Sequence, residues 1–230
     1  MKLEVLPDAE SVARRAAERV AEEARAAVAE RGRFGFAVSG GSTPWKMLRA
    51  LADEDVPWRG VHVFQVDERI APAGDPDRNL THLEESLLAH APLAPEQVHA
   101  MRVEDSDLEA AAALYARALE DVAGSPPTLD LVHLGLGPDG HTASLVPGDP
   151  VLEVSDRDVA LTVNPYQDRR RMTLTYPFLN RARGILWLVT GGSKVEMLER
   201  LRSGDPSIPA GRVSSDRAVV LADRAAGGEA

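Results

Sequence analysis

Four short apolar runs in this chain each end in a segment too unusual to be an ordinary connection. FGFAVS (Phe34–Ser39) runs into GGSTP, and the strand Val61–Val66 runs into Asp67-Glu68-Arg69. LDLVHL (Leu129–Leu134) runs into GLGPDGHT, and ILWLV (Ile185–Val189) runs into TGGSK. Runs of this length, rich in β-branched and aromatic residues and bounded by glycine, read as buried strands. Helical patterns lie between them. Asp8 caps a first helix on which Val12, Ala16, Val20, Ala24 and Val28 recur every four residues until Gly32 stops it. Pro44 sits in the first turn of a helix running to Leu51. Further helices are predicted near Asn79–Ala89, Ser106–Val122 and Ser193–Leu201, and further strands at Val159–Val163, Arg171–Thr175 and Ala218–Leu221.

Strands alternating with helices predict an α/β fold, a mostly parallel open sheet with helices on both faces. In such sheets ligands bind beyond the carboxyl ends of the strands, where the chain direction switches. The four special loops therefore belong to one edge and one site. With no internal repeat and no linker, residues 1–224 read as a single domain, and 225–230 as a disordered tail.

The bulk composition narrows the chemistry. The 230 residues include no cysteine, which excludes disulfides, thiolate metal sites and a cysteine nucleophile. No stretch approaches the ~18 apolar residues of a membrane span, and the N-terminus lacks the apolar run of a signal peptide, so a cytoplasmic protein is expected. Twenty-six basic against thirty-six acidic residues give a net charge of −10, which argues against a nucleic-acid-binding face. An anionic small substrate is compatible with that charge only where cations are concentrated locally.

The loops supply those cations. In Ser39-Gly40-Gly41-Ser42-Thr43-Pro44, Gly40 and Gly41 let the backbone approach an anion, and a helix N-terminus offers N–H groups with a favourable dipole. Ser42 and Thr43 add hydroxyls. The spacing is neither a Walker loop nor GxGxxG. Lys194, in the first turn after Gly191-Gly192-Ser193, is disfavoured by the helix dipole, a conflict that a bound anion resolves. Asp67 and Arg69 stand together at one strand end. Arg169-Arg170-Arg171 offers guanidinium groups suited to phosphate, one of them facing the site. The loop Gly135–Thr142 constrains Asp139 and His141, and histidine is the residue best suited to proton transfer near neutrality. The other five histidines form no constellation such as HExxH, so no metal is expected.

Taken together, VSGGSTP (Val38–Pro44), VDER (Val66–Arg69), GLGPDGHTASLVPG (Gly135–Gly148), RMTLTYPFLNRA (Arg171–Ala182), LVTGGSK (Leu188–Lys194) and IPAGRV (Ile208–Val213) resemble the 6-phosphogluconolactonase family. The resemblance extends from Phe34 to Asp223. It implies a sheet like that of the glucosamine-6-phosphate deaminase and ribose-5-phosphate isomerase superfamily. It implies hydrolysis of 6-phospho-D-glucono-1,5-lactone to 6-phospho-D-gluconate in the pentose phosphate pathway, without a cofactor. By the same resemblance His141 is the general base with Asp139 beside it, and Ser42, Arg69, Arg171 and Lys194 surround the phosphate. Arg69 and the loop N–H groups are both candidates for stabilising the oxyanion. Amino-sugar-phosphate deaminases share GGSTP and DGH but carry a carboxylate five positions after the motif histidine, in a pattern like DGHIAFNEPG. Here that position is Val146, which disfavours a deaminase. A non-catalytic sugar-phosphate sensor is disfavoured because no helix-turn-helix or basic DNA-binding segment accompanies the motifs.

Overall fold

The computed structural model describes residues 1–228. Ten strands and seven α-helices follow in chain order. The strands are β1 (Lys2–Leu6), β2 (Phe34–Val38), β3 (Val61–Gln65), β4 (Asp67–Arg69), β5 (Val98–His99), β6 (Leu131–Gly135), β7 (Val159–Leu161), β8 (Arg171–Leu174), β9 (Ile185–Val189) and β10 (Ala218–Asp223). The helices are α1 (Ala9–Arg31), α2 (Ser42–Leu51), α3 (Asn79–Leu83), α4 (Leu108–Ala123), α5 (Tyr176–Leu179), α6 (Val195–Arg202) and α7 (Arg224–Gly227).

Seven strands form one sheet in the order β1-β10-β9-β6-β2-β3-β5, every neighbouring pair parallel. Buried on both faces, its strands sort their side chains by alternation. Phe34, Phe36, Val38, Leu186 and Leu188 meet α1 and α2. Ala37, Val132, Leu134, Ile185, Trp187 and Val189 meet α4 and α6 on the other side. The predicted first helix forms as α1: the Asp8 carboxylate accepts from Ser11 N at 2.8 Å, and Gly32 ends it at φ 75°. Its Val12, Ala16, Val20 and Ala24 are buried, and small alanines allow close approach to the sheet.

Some elements depart from the sequence expectation. β1, a short mixed-polarity segment, forms an outer strand beside β10, a pairing that alternation over five residues does not reveal. DER is not a loop but strand β4, which joins β8 and β7 in a separate antiparallel sheet of order β4-β8-β7. The helix expected over Asn79–Ala89 tightens only as far as Leu83 and then widens into a π-helical turn, Glu84–Leu88. The expected disordered tail is corrected at its start. Asp223 accepts from Ala226 N at 2.9 Å and caps α7, whose Ala226 is buried; only Glu229 and Ala230 of that segment lie outside the described residues. Among the described residues no helix is long and apolar enough to cross a membrane.

The topology places the site. From β2 the chain crosses through α2 to β3 on one side, whereas from β6 it travels to β9 on the other. Adjacent strands whose connections diverge leave a crevice beyond their carboxyl ends. Buried His133 bridges the two strands at the root of that crevice. β2 and β6 pair only through Phe36–Leu131 and Ala37–Val132, and beyond them Ser39 N donates to His133 Nδ1 at 3.2 Å. Burial pushes this imidazole down to about 3, so it remains a neutral acceptor.

Candidate active site

A cleft of about 220 Å³ lies over the switch point. Ser39, Gly40 and Gly41 line it from the loop after β2, Asp67 and Arg69 from β4, Gly135–Pro138 and His141 from the loop after β6, Arg171 from β8, and Lys194 after β9. The three loops and strand β4, the four segments marked by the sequence, thus all contribute to the cleft lining.

The His141 loop is built around its backbone. Gly137 N donates to His141 O at 2.8 Å, and a β-carbon at Gly137 would sit on the imidazole ring itself. Gly140 adopts φ 80°, a left-handed conformation natural to glycine, and its carbonyl accepts from Ala210 N at 2.9 Å. His141 is thereby held half-buried with Nδ1 2.6 Å from Asp139 Oδ1. An ionised carboxylate only accepts, so Nδ1 carries the proton and Nε2 carries the lone pair. For Asp139, burial acts upward, but the hydrogen bond to His141 and that residue's charge outweigh it and leave the carboxyl below its usual range. It is therefore ionised throughout the neutral range, where it fixes the tautomer.

The cations occupy the opposite wall. Arg69 and Arg171 face each other directly across the β4–β8 pair. Like charges in that position repel unless an anion lies between or beside them. Arg171 is almost fully buried; burial pulls its guanidinium down from the usual arginine range, and Asp67 opposes this. Its Nε is buried without a hydrogen-bond partner, and Nη1 has only a long 3.5 Å contact to Ser144 Oγ and an ion pair at 4.0 Å with Asp67. Lys194 adds a third positive group, which burial likewise pulls down while Asp139 opposes.

The other expected residues divide. Asp67 lines the cleft, but its carboxylate accepts from Ser144 Oγ at 2.6 Å and faces Arg171, so it supports the cation wall. Burial raises its titration above the usual range, against the pull of Ser144 and Arg171. Ser42 is exposed and does not line the cleft, and the buried Thr43 hydroxyl is 2.9 Å from Thr190 Oγ1. No side chain caps α2, so its first-turn N–H groups are left to solvent or an anion. Of the three consecutive arginines, Arg169 pairs with Asp75 at 3.2 Å and Arg170 donates to Thr162 O at 3.0 Å, leaving Arg171 to face the site. Two residues join without any sequence signal. Asn79 lines the cleft while donating to Asp67 O at 2.9 Å, and the Tyr166 hydroxyl lies 3.4 Å from His141 Nδ1. Among the described residues no group of three or more His, Cys, Asp or Glu could hold a metal ion.

The family model for glucosamine-6-phosphate isomerases/6-phosphogluconolactonase matches residues 7–221. The chain belongs to this family. It is 37% identical to 6-phosphogluconolactonase of Mycobacterium tuberculosis over 235 residues, covering 96% of this chain and 95% of that protein. It is 36% identical to 6-phosphogluconolactonase of Nostoc sp. over 196 residues, covering 84% and 81%. Among solved structures, 6-phosphogluconolactonase from Thermotoga maritima superposes with a TM-score of 0.86 at 26% identity, over 96% of this chain and 98% of that one. A monomeric glucosamine-6-phosphate deaminase shares the fold at a TM-score of 0.83 and 20% identity, over 98% of each chain.

Proposed function

We propose that this protein hydrolyses 6-phospho-D-glucono-1,5-lactone to 6-phospho-D-gluconate, the lactone step of the pentose phosphate pathway, in the cytoplasm. The observation that carries this reading is a base and an anion site in one cleft. His141, with its tautomer set by Asp139, stands opposite the facing pair Arg69 and Arg171. His141 Nε2 takes a proton from water, and the water oxygen attacks the lactone carbonyl carbon. Charge develops on the carbonyl oxygen, where loop N–H groups or a cleft cation stabilise it. As the tetrahedral intermediate collapses, the bond to the ring oxygen breaks and the proton returns from His141 to that oxygen. Arg171, Lys194 and the amides opening α2 hold the phosphate and so position the ring. Asp67 orients Arg171. The scheme needs no metal or organic cofactor.

The 6-phosphogluconolactonases named above support the same reaction, and Val146 argues against the amino-sugar alternative. It is a buried apolar residue where the deaminase pattern carries a carboxylate. Purified protein is expected to accelerate lactone hydrolysis above the spontaneous rate and to release no ammonia from glucosamine 6-phosphate. Ammonia release without lactone hydrolysis would overturn the proposal.

Lys194 supplies a second test. Its phosphate contact is present in both ground and transition states, so Lys194→Ala should raise KM far more than it lowers kcat. Loss of a charge-assisted contact of about 1.5–3 kcal/mol corresponds to roughly a ten- to hundredfold rise in KM. An unchanged KM would remove Lys194 from the site.

A further inference from the structure

Tyr166 lies at the tip of the hairpin joining β7 to β8, and that tip is constructed rather than loose. Tyr166 and Arg169 exchange backbone hydrogen bonds at 2.9 and 3.4 Å around a two-residue turn. Gln167 and Asp168 within it adopt φ 52° and 62°, the left-handed pair of a type I′ turn that normally selects asparagine or glycine. The hairpin is tied down on both sides. Asp149 accepts from Asn164 N at 2.8 Å near its root, and Arg169 pairs with Asp75 at 3.2 Å and Asp77 at 3.5 Å near its tip.

What this scaffold presents is one aromatic ring touching both halves of the cleft. The Tyr166 ring meets the His141 imidazole edge-on, centroids 5.1 Å apart at 65°. The Arg171 guanidinium lies over the same ring at 5.1 Å, and its Nη2 donates to Tyr166 O and Gln167 Oε1, each at 3.2 Å. The hydroxyl sits 3.4 Å from His141 Nδ1, on the side of the imidazole already engaged by Asp139 and away from Nε2. An edge-to-face contact and a cation over a ring are each favourable at this spacing.

We infer that Tyr166 is a positioning residue that holds His141 in the orientation presenting Nε2 to the cleft and fixes Arg171 relative to it, so that one side chain sets the distance between base and anion site. The inference rests on the proposed lactone hydrolysis for its kinetic consequence but not for its geometry. Burial, together with the nearby Asp139 charge, raises the phenol's titration, so the hydroxyl stays protonated at neutral pH.

Two variants separate the ring from the hydroxyl. Tyr166→Phe keeps the surface beneath Arg171 and should leave KM within twofold while lowering kcat several-fold. Tyr166→Ala frees both neighbours and should lower kcat about ten- to hundredfold and raise KM several-fold, the scale on which misplacement of a reacting group acts. Tyr166 is only partly buried at a hairpin tip, so both variants should melt close to the wild type. The second readout is the imidazole ¹⁵N spectrum of His141 in the substrate-free protein, assigned by its loss in His141→Asn. It should report the Nδ1-protonated tautomer set by Asp139 in both proteins, with the ring signals displaced and broadened in Tyr166→Ala. Tyr166→Ala with kcat and KM both within twofold of wild type would overturn the inference. A shifted imidazole spectrum with no lactone hydrolysis by any form would overturn the reaction while supporting the placement of His141 by Tyr166.

Discussion

Glu68→Gln is expected to destabilise the protein by about 3–5 kcal/mol, the cost of setting buried N–H donors against an NH₂ group and removing one of the two carboxylates that pair with Arg78, the other being Glu104. Glu68 is fully buried. Its Oε1 accepts from Arg69 N and Asn79 N, and its Oε2 from Leu80 N and Gln65 Nε2, all at 2.8 Å. Arg78 Nε lies 3.1 Å from Oε2, in a side chain that is itself buried. Every lone pair of the carboxylate therefore faces a donor. The glutamine amide keeps the shape but turns one acceptor into an NH₂ group directed at those donors, and it removes the charge opposite Arg78. One of the first two N–H groups of α3, Asn79 N or Leu80 N, loses its acceptor in the same substitution. For a chain of this size the loss corresponds to a fall of roughly 6–20 °C in melting temperature. Thermal unfolding by circular dichroism measures it directly, and a Glu68→Gln protein melting within two degrees of wild type would show that the network is not a principal support. The consequence reaches the cleft, because Glu68 lies between Asp67 and Arg69 and fixes the backbone of Asn79, all three of which line it.

Glu68 also shows where the sequence stops being readable. Its neighbours in DER are visible as a charge cluster after an apolar run, but its ligands come from Gln65, Asn79, Leu80 and Arg78, and no periodicity links them. The central strands β2, β3, β6, β9 and β10 were legible because they are buried and read as continuous apolar runs, whereas the outer β1 and β5 were not. The three loops after β2, β6 and β9 were legible because glycines and isolated charges interrupt those runs. The second sheet was not, since β4 is three charged residues whose register with β8 depends on a partner from the far half of the chain. Arg171 could be ranked above Arg169 and Arg170 by family resemblance, but the physical reason emerges only from that register, which sets it opposite Arg69. Ser42 and Thr43 illustrate the reverse case. Their motif reads as a phosphate cradle, yet the fold exposes one hydroxyl and places the other against Thr190, leaving Ser39, Gly40 and Gly41 to line the cleft. Tyr166 belongs to a turn whose left-handed residues are glutamine and aspartate, so the usual hairpin signal is missing.

His141→Asn should lower kcat about 10²–10⁴-fold with little change in KM, the usual scale for losing a positioned acid–base group. Asparagine can still accept and donate hydrogen bonds, so Asp139 need not be left unpaired, but it has no nitrogen able to take a proton from water near neutrality. The cations proposed to hold the phosphate, Arg69, Arg171 and Lys194, lie on β4, β8 and just after β9, away from the substituted side chain, which is why ground-state binding should persist. Stability should persist too. His141 is part-exposed on a loop whose shape is set by the backbone bonds Gly137 N to His141 O and Ala210 N to Gly140 O, none of which involves the imidazole. The substitution thus separates chemistry from folding and from binding, as Glu68→Gln cannot. Steady-state kinetics on freshly generated lactone, with spontaneous hydrolysis subtracted and melting compared in parallel, measure all three. The dependence of kcat/KM on pH that belongs to the enzyme base should vanish in the variant, leaving only the ionisation of the substrate phosphate. A folded His141→Asn protein that turns over within a fewfold of wild type would leave His141 a structural loop residue and require another group in the cleft, Asp67 foremost, to activate water.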